Sequence, residues 1–206
     1  MTRNPRDLPR HTVEQRFVHW MNALSVILLA LSGLALFHPY FWPLVHLFGG
    51  GTWTRILHPF IGLFMVVFFA ALFVMFWSDN LIDAADREWL RHIDEMADGN
   101  DQNMPEEGKY NGGQKLLFWA FTLCIALLLV SGICMWRAYF NLPDTLVRVA
   151  ATVHAAVAAL MIALVIGHVY TGIWVRGTFR AMWYGSVTRP WAWQHHRAWY
   201  RRVARR

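Results

Sequence analysis

Four long apolar runs decide what this chain can fold into. They lie at about residues 17–37, 56–77, 116–136 and 150–175, and each is essentially free of Asp, Glu, Lys and Arg inside. A bilayer core of about 30 Å takes about 20 helical residues, and within it every backbone N–H and C=O must be satisfied by the segment itself. The runs therefore predict an all-α, integral membrane four-helix bundle, forming one domain over residues 1–206. Composition agrees, because 56% of residues are hydrophobic, 16% are charged and twelve are Trp. A soluble chain averages roughly 25% charged residues. Disorder, coiled coil and disulfide scaffolds are excluded by the same figures. The first run is longer than the roughly 7–15 residues of a signal-peptide core and lacks a following A-x-A site, so it reads as a retained span. Cys124 and Cys134 stand ten helical residues apart, about 15 Å, which is too far for a disulfide; each reads as a buried thiol. No internal repeat or low-complexity tract is evident, and the one long polar segment is the 78–115 loop.

Orientation follows from the basic residues. The N-terminal segment holds four Lys/Arg, the 78–115 loop four and the 176–206 tail eight, whereas the other two loops hold only Arg55, Arg137 and Arg148. Sixteen against three places both termini and the 78–115 loop in the cytoplasm. The ten acidic residues of that loop do not alter this, since the rule is not one of net charge. Trp20, Trp42, Trp53, Trp77, Trp119, Trp136 and Trp174 cluster at span ends as interfacial anchors. The net charge of +6 is thus a matter of topology and contact with membrane lipid, including the basic tail from Arg201, and not of nucleic acid.

Histidine is rare within membrane spans, yet His19, His58, His154 and His168 all lie in them. His19 and His168 share a depth on the cytoplasmic side; His58 and His154 share one on the outer side. Fourteen residues separate His154 from His168, a rise of about 21 Å and a turn about 40° short of four full turns, so both face one side of span 4. Two ligands on one face with partners on two other helices suit two stacked b-type hemes, each held by two histidines. Gly33, Gly62 and Gly132 allow close approach to the backbone. A metal or proton path is the competing reading, and it would usually add acidic or thiol ligands. His38, at the end of span 1, rivals His58 as the outer ligand. His11, His46, His92, His195 and His196 read as surface residues.

Several segments resemble the gamma subunit of respiratory formate dehydrogenases, a four-span cytochrome b. They are Phe17-Val18-His19-Trp20, Arg55-Ile56-Leu57-His58-Pro59-Phe60, Lys109-Tyr110-Asn111-Gly112-Gly113-Gln114-Lys115, Thr152-Val153-His154-Ala155-Ala156 and Gly167-His168-Val169-Tyr170, with His195-His196 and Trp199-Tyr200 in the tail. The similarity runs from about residue 14 to 202. It implies a multi-pass protein of the bacterial inner membrane with two heme b groups as cofactors. His58 and His154 would hold the outer heme, in preference to His38, and His19 and His168 the inner heme. The resemblance further implies a menaquinone or ubiquinone bound at the cytoplasmic side by Asn111, Gly113, Gln114 and His168. Read from the residues alone, Asn111–Lys115 is more simply a helix-start turn with an interfacial lysine. The partners implied are an iron–sulfur subunit and a molybdenum or tungsten catalytic subunit, which carries out formate oxidation itself. Cytochrome b subunits of hydrogenases or sulfur-compound reductases would share hemes and spans, and a non-redox metal or heme carrier is the reading from another class.

Overall fold

Each apolar run is a helix in the computed structural model, which describes residues 7–97, 104–136 and 139–205. Arg137, Arg206, residues 1–6 and residues 98–103 of the 78–115 loop lie outside the described residues. In chain order, β1 (Leu8–Pro9) leads to α1 (Val13–Phe37), a 3-10 segment (Pro39–Phe48), α2 (Gly51–Phe76) and a short 3-10 turn (Trp77–Asn80). Then come α3 (Ala84–Arg91), α4 (Ile93–Ala97), α5 (Gly112–Met135) and α6 (Asp144–Trp174), followed by α7 (Thr178–Tyr184), β2 (Ser186–Val187), α8 (Arg189–His195) and α9 (Arg197–Val203). Helices α1, α2, α5 and α6 are the four spans.

The spans end within a residue of the expected positions but begin four to six residues earlier. Capping sets a helix start, and hydropathy does not report it. At α1 the Gln15 N–H donates to Thr12 Oγ1 at 3.2 Å, and the Thr12 N–H donates back to Gln15 Oε1 at 3.1 Å. At α5, Asn111 and Gln114 make the same reciprocal pair.

The chain forms two compact units, one made of Met1–Arg16, Val74–Ala120 and His168–Arg206, the other of Phe17–Phe73 and Phe121–Gly167. In the Phe17–Phe73 and Phe121–Gly167 unit, Met65 of α2, Cys124 and Ile125 of α5 and Met161 of α6 form the core, with Val26 and Leu29 of α1 packed on it. Cys134 is only half-buried, unlike the fully buried thiol expected there. Large apolar side chains such as Phe64, Val67, Leu123, Val130 and Ile166 are exposed at the chain's surface. Faces of this kind belong against hydrocarbon and not water.

The other unit is built differently. Strands β1 and β2 pair antiparallel, Leu8 opposite Val187 and Pro9 opposite Ser186. Leu8, Ala181, Val187, Trp191, Ala192 and Trp199 make its apolar centre. Gly185 caps α7 with φ 77° and takes hydrogen bonds from Arg10 N–H at 2.8 Å and His11 N–H at 3.1 Å. A Cβ there would stand 2.6 Å from the His11 carbonyl oxygen, so both conformation and space demand glycine.

Candidate heme-binding site

His58 of α2 and His154 of α6 face one another, with ring centres 6.3 Å apart and planes at 67°. Two imidazoles bound to opposite sides of one iron, each nitrogen ~2 Å from the metal, set their ring centres about 6 Å apart. The spacing of this pair therefore fits one heme iron between them. The surroundings repeat. Ser32 Oγ lies 2.7 Å from His58 Nδ1, and Ser131 Oγ lies 3.0 Å from His154 Nδ1. Next to each serine stands a glycine whose absent Cβ would be 3.4 Å from the Cε1 of the same histidine, Gly33 for His58 and Gly132 for His154. Each imidazole therefore packs directly on its glycine, at the distance of an ordinary van der Waals contact for a Cβ. Helices α1 and α2 thus present a Ser-Gly step to a histidine, and α5 and α6 do the same. This is a structural repeat that the sequence does not advertise, because only Ser-Gly and a distant His are shared.

The rival outer ligand is elsewhere employed. His38 is exposed, and its Nδ1 accepts a hydrogen bond from the Tyr40 N–H at 3.2 Å, opening the 3-10 segment. Among the described residues no group of three His, Cys, Asp or Glu side chains is arranged to hold a metal ion. Zinc held structurally takes four such ligands, whereas heme iron takes two. Of the expected inner ligands, His19 stands edge-on to Trp20 at 5.4 Å, in the unit that also holds His58. His168 belongs to the other unit, on an exposed stretch of α6 near Tyr170.

The segment expected to bind quinone does structural work. The Gln114 N–H donates to Asn111 Oδ1 at 2.9 Å and the Asn111 N–H to Gln114 Oε1 at 3.1 Å, so both side-chain oxygens cap α5. A Cβ on Gly113 would meet the Trp89 ring at 2.9 Å, and one on Gly112 the Asp86 carbonyl oxygen at 2.7 Å. The two glycines admit α3 against α5. Lys115, read from sequence as an interfacial residue, is buried; its Nζ donates to Asp86 at 2.6 Å and to the Leu81 carbonyl at 3.1 Å. Nearby, Asp83, Trp89, Glu107, Asn111, Lys115 and Arg202 line a cleft of about 250 Å³.

A second polar group escaped the sequence reading. His196, expected at the surface, is 2% exposed. Arg10 is buried too, its guanidinium 5.1 Å from the Trp191 ring centre and 5.0 Å from that of Trp199. Arg10 has no acceptor to offer, so its Nη2 donates to His196 Nε2 at 3.2 Å, and His196 Nδ1–H donates to the Gly108 carbonyl at 2.8 Å. Burial, then the Arg10 charge, holds the His196 imidazole down at about 3. Burial pushes the Glu107 carboxyl up to about 7, against the Trp89 Nε1–H that donates to it at 2.7 Å. Burial likewise lowers Arg10 to about 10. No local signal marks these residues, because Arg10 and His196 lie 186 positions apart.

The chain is similar over most of its length to known proteins. The sequence model of the prokaryotic cytochrome b561 family matches residues 10–185. The chain is 39% identical to the Escherichia coli (strain K12) formate dehydrogenase cytochrome b556(fdo) subunit over 198 residues, covering 94% of this chain and 92% of the relative. It is 39% identical to the nitrate-inducible cytochrome b556(Fdn) subunit of the same organism over 190 residues, 91% and 88% of the two chains. With the cytochrome b556 subunit of the Haemophilus influenzae formate dehydrogenase the identity is 36% over 200 residues, 96% and 84%. With four spans and a match over most of its length, this chain belongs to the prokaryotic cytochrome b561 family, membrane helical bundles that carry b-type heme in the bacterial inner membrane.

Proposed function

We propose that this chain is the diheme cytochrome b subunit of a formate dehydrogenase complex, carrying electrons from a periplasmic-side iron–sulfur subunit to menaquinone or ubiquinone on the cytoplasmic side. The observation that carries the reading is the His58–His154 pair, whose 6.3 Å ring separation suits one iron, in a chain whose relatives are named as formate dehydrogenase cytochrome b556 subunits. His58 and His154 hold the outer heme, and His19 and His168 the inner one. Heme, when bound, supplies reversible one-electron transfer. The chain acts as a single transmembrane domain with both termini and the 78–115 loop in the cytoplasm, the side favoured by sixteen of its nineteen Lys and Arg residues. Formate oxidation takes place on a molybdenum or tungsten partner, outside this chain.

Quinone binds beside His168 and the start of α5, near Asn111, Gly113 and Gln114. The helix cap uses only the oxygen of the Gln114 amide, and its NH2 is the donor that a quinone carbonyl requires. Purification of the complex, followed by heme re-oxidation with added quinone, tests the reading. Reduced heme should be re-oxidised by quinone, and Gln114→Leu should slow that step roughly five- to a hundred-fold, the equivalent of about 1–3 kcal/mol of lost hydrogen bonding. Re-oxidation by a soluble dye should be unaffected. A chain that co-purifies with no iron–sulfur partner, or hemes that quinone cannot re-oxidise, would refute it.

A further inference from the structure

The serines facing the two outer histidines have a determined hydrogen-bonding direction. A serine hydroxyl carries one hydrogen. Ser32 Oγ lies 2.7 Å from the Leu28 carbonyl oxygen, four residues back in α1, and Ser131 Oγ lies 2.6 Å from that of Leu127 in α5. A carbonyl oxygen can only accept, so each hydroxyl spends its hydrogen there. The contacts to His58 Nδ1 at 2.7 Å and His154 Nδ1 at 3.0 Å must then run the other way, with the imidazole N–H donating to the serine oxygen. Both imidazoles are thereby fixed as the Nδ1–H tautomer, which leaves the lone pair on Nε2. In both histidines the serine meets Nδ1 and not Nε2. Ser32 is fully buried and Ser131 nearly so, which keeps water from competing for the same imidazole proton.

We propose that Ser32 and Ser131 are positioning residues for the outer heme, each accepting the Nδ1–H of its histidine so that Nε2 is presented to the iron and the imidazole is made a stronger electron donor. The proposal rests on the reading of His58 and His154 as ligands of one heme. Two arguments support it. The arrangement occurs twice, on different helix pairs, with the same serine back-bond, the same ring nitrogen and the same adjoining glycine. The chemistry is also general: a ligating imidazole that donates its other N–H is held in orientation and gains basicity. A more basic axial ligand favours the oxidised iron, so the serines lower the potential of the outer heme.

The test is a redox titration of the complex, with the outer heme identified as the one missing from His154→Ala. Ser32→Ala and Ser131→Ala should each raise the outer-heme potential, the double variant should raise it most, and the inner heme should titrate as before. Ser32→Thr and Ser131→Thr retain the hydroxyl and should return the potential toward that of the parent. The low-spin ferric EPR signal of the outer heme should shift in the alanine variants alone. Outer-heme loss in an alanine variant with retention in the threonine variant would support the same assignment. Unchanged potential and EPR signal in both alanine variants, with heme bound, would overturn it and leave the hydroxyls as partners of the helix backbone only. A parent chain that binds no heme at His154 would instead remove the ligand assignment on which the proposal stands, a result the same titration distinguishes.

Discussion

The molecule contains two kinds of hydrogen-bonded histidine, and the contrast separates a ligand from a strut. At His196 both ring nitrogens are used by the chain itself, Nε2 accepting from Arg10 and Nδ1–H donating to the Gly108 carbonyl. At His58 and His154 the serine contact is made at Nδ1, where the imidazole N–H donates. An imidazole with both nitrogens satisfied by protein has no lone pair left for a metal, whereas one anchored at Nδ1 offers Nε2. The surroundings differ to match. Around His58 and His154 the polar partners are uncharged, among them serines on neighbouring spans that are each also bonded within their own helix. Around His196 they are charged groups brought from remote segments, with Glu107 3.6 Å away and Arg10 from the other end of the chain. Burial alone does not identify a functional histidine; the direction of its hydrogen bonds does.

The comparison breaks hardest at the buried ion pair. Lys115 and Asp86 have side chains 9% and 6% exposed and meet at 2.6 Å, so Lys115→Met leaves a buried carboxylate uncompensated. That should destabilise the unit containing α3 and the start of α5 by on the order of 3–5 kcal/mol. Hydrogen exchange should show the loss in Ala84–Arg91, while the amides of α2 around His58 keep their protection. Equal loss in both places would mean that the two regions do not differ as argued.

A smaller effect sharpens the histidine contrast through pH. His196 is held near 3, below its unfolded value of about 6.5, so the unfolded chain binds the proton more readily and stability falls as pH drops below about 6.5. Glu107 is raised to about 7 from about 4.5, so the folded chain binds the proton more readily and stability falls as pH rises from about 4.5 to 7. Between about 4.5 and 6.5 the two slopes oppose one another. Glu107→Gln should leave a unit that weakens on acidification, and His196→Gln one that weakens on raising pH toward 7, each by about 1 kcal/mol per pH unit. Thermal melts across pH 4.5–7 would show the two opposite slopes, and parallel profiles in the two variants would contradict the account.

The smallest expected effect concerns the cap of α5. Asn111→Ala removes one half of the reciprocal pair with Gln114 and should cost about 1 kcal/mol, read as earlier loss of helix on heating. A cost well above that would show that Asn111 contributes more than the cap.

These contrasts also show what a sequence can and cannot announce. The four spans were evident because hydrocarbon imposes length and apolarity on every residue of a crossing helix, and their C-terminal ends fell within a residue of expectation. Their starts did not, since Thr12 and Asn111 begin helices by side-chain capping well outside the apolar run. His58 and His154 stood out because a histidine in a span is anomalous by itself. Ser32 and Ser131 did not, since a serine draws no notice beside Asn22, Ser25 and Thr122 in the same runs. Lys115 and His196 sit in polar segments where a charged or titratable residue draws no notice. Their burial depends on partners 29 and 186 positions away, which no local pattern encodes.

The most direct test of the central claim is heme stoichiometry in the purified chain and its histidine variants, read from the reduced b-type α-band against protein. The account predicts two hemes in the parent, one in His58→Ala and one in His154→Ala, with the same heme missing from both, and two in His38→Ala and His196→Gln. A full complement of heme in His58→Ala, or loss of one in His38→Ala, would contradict it.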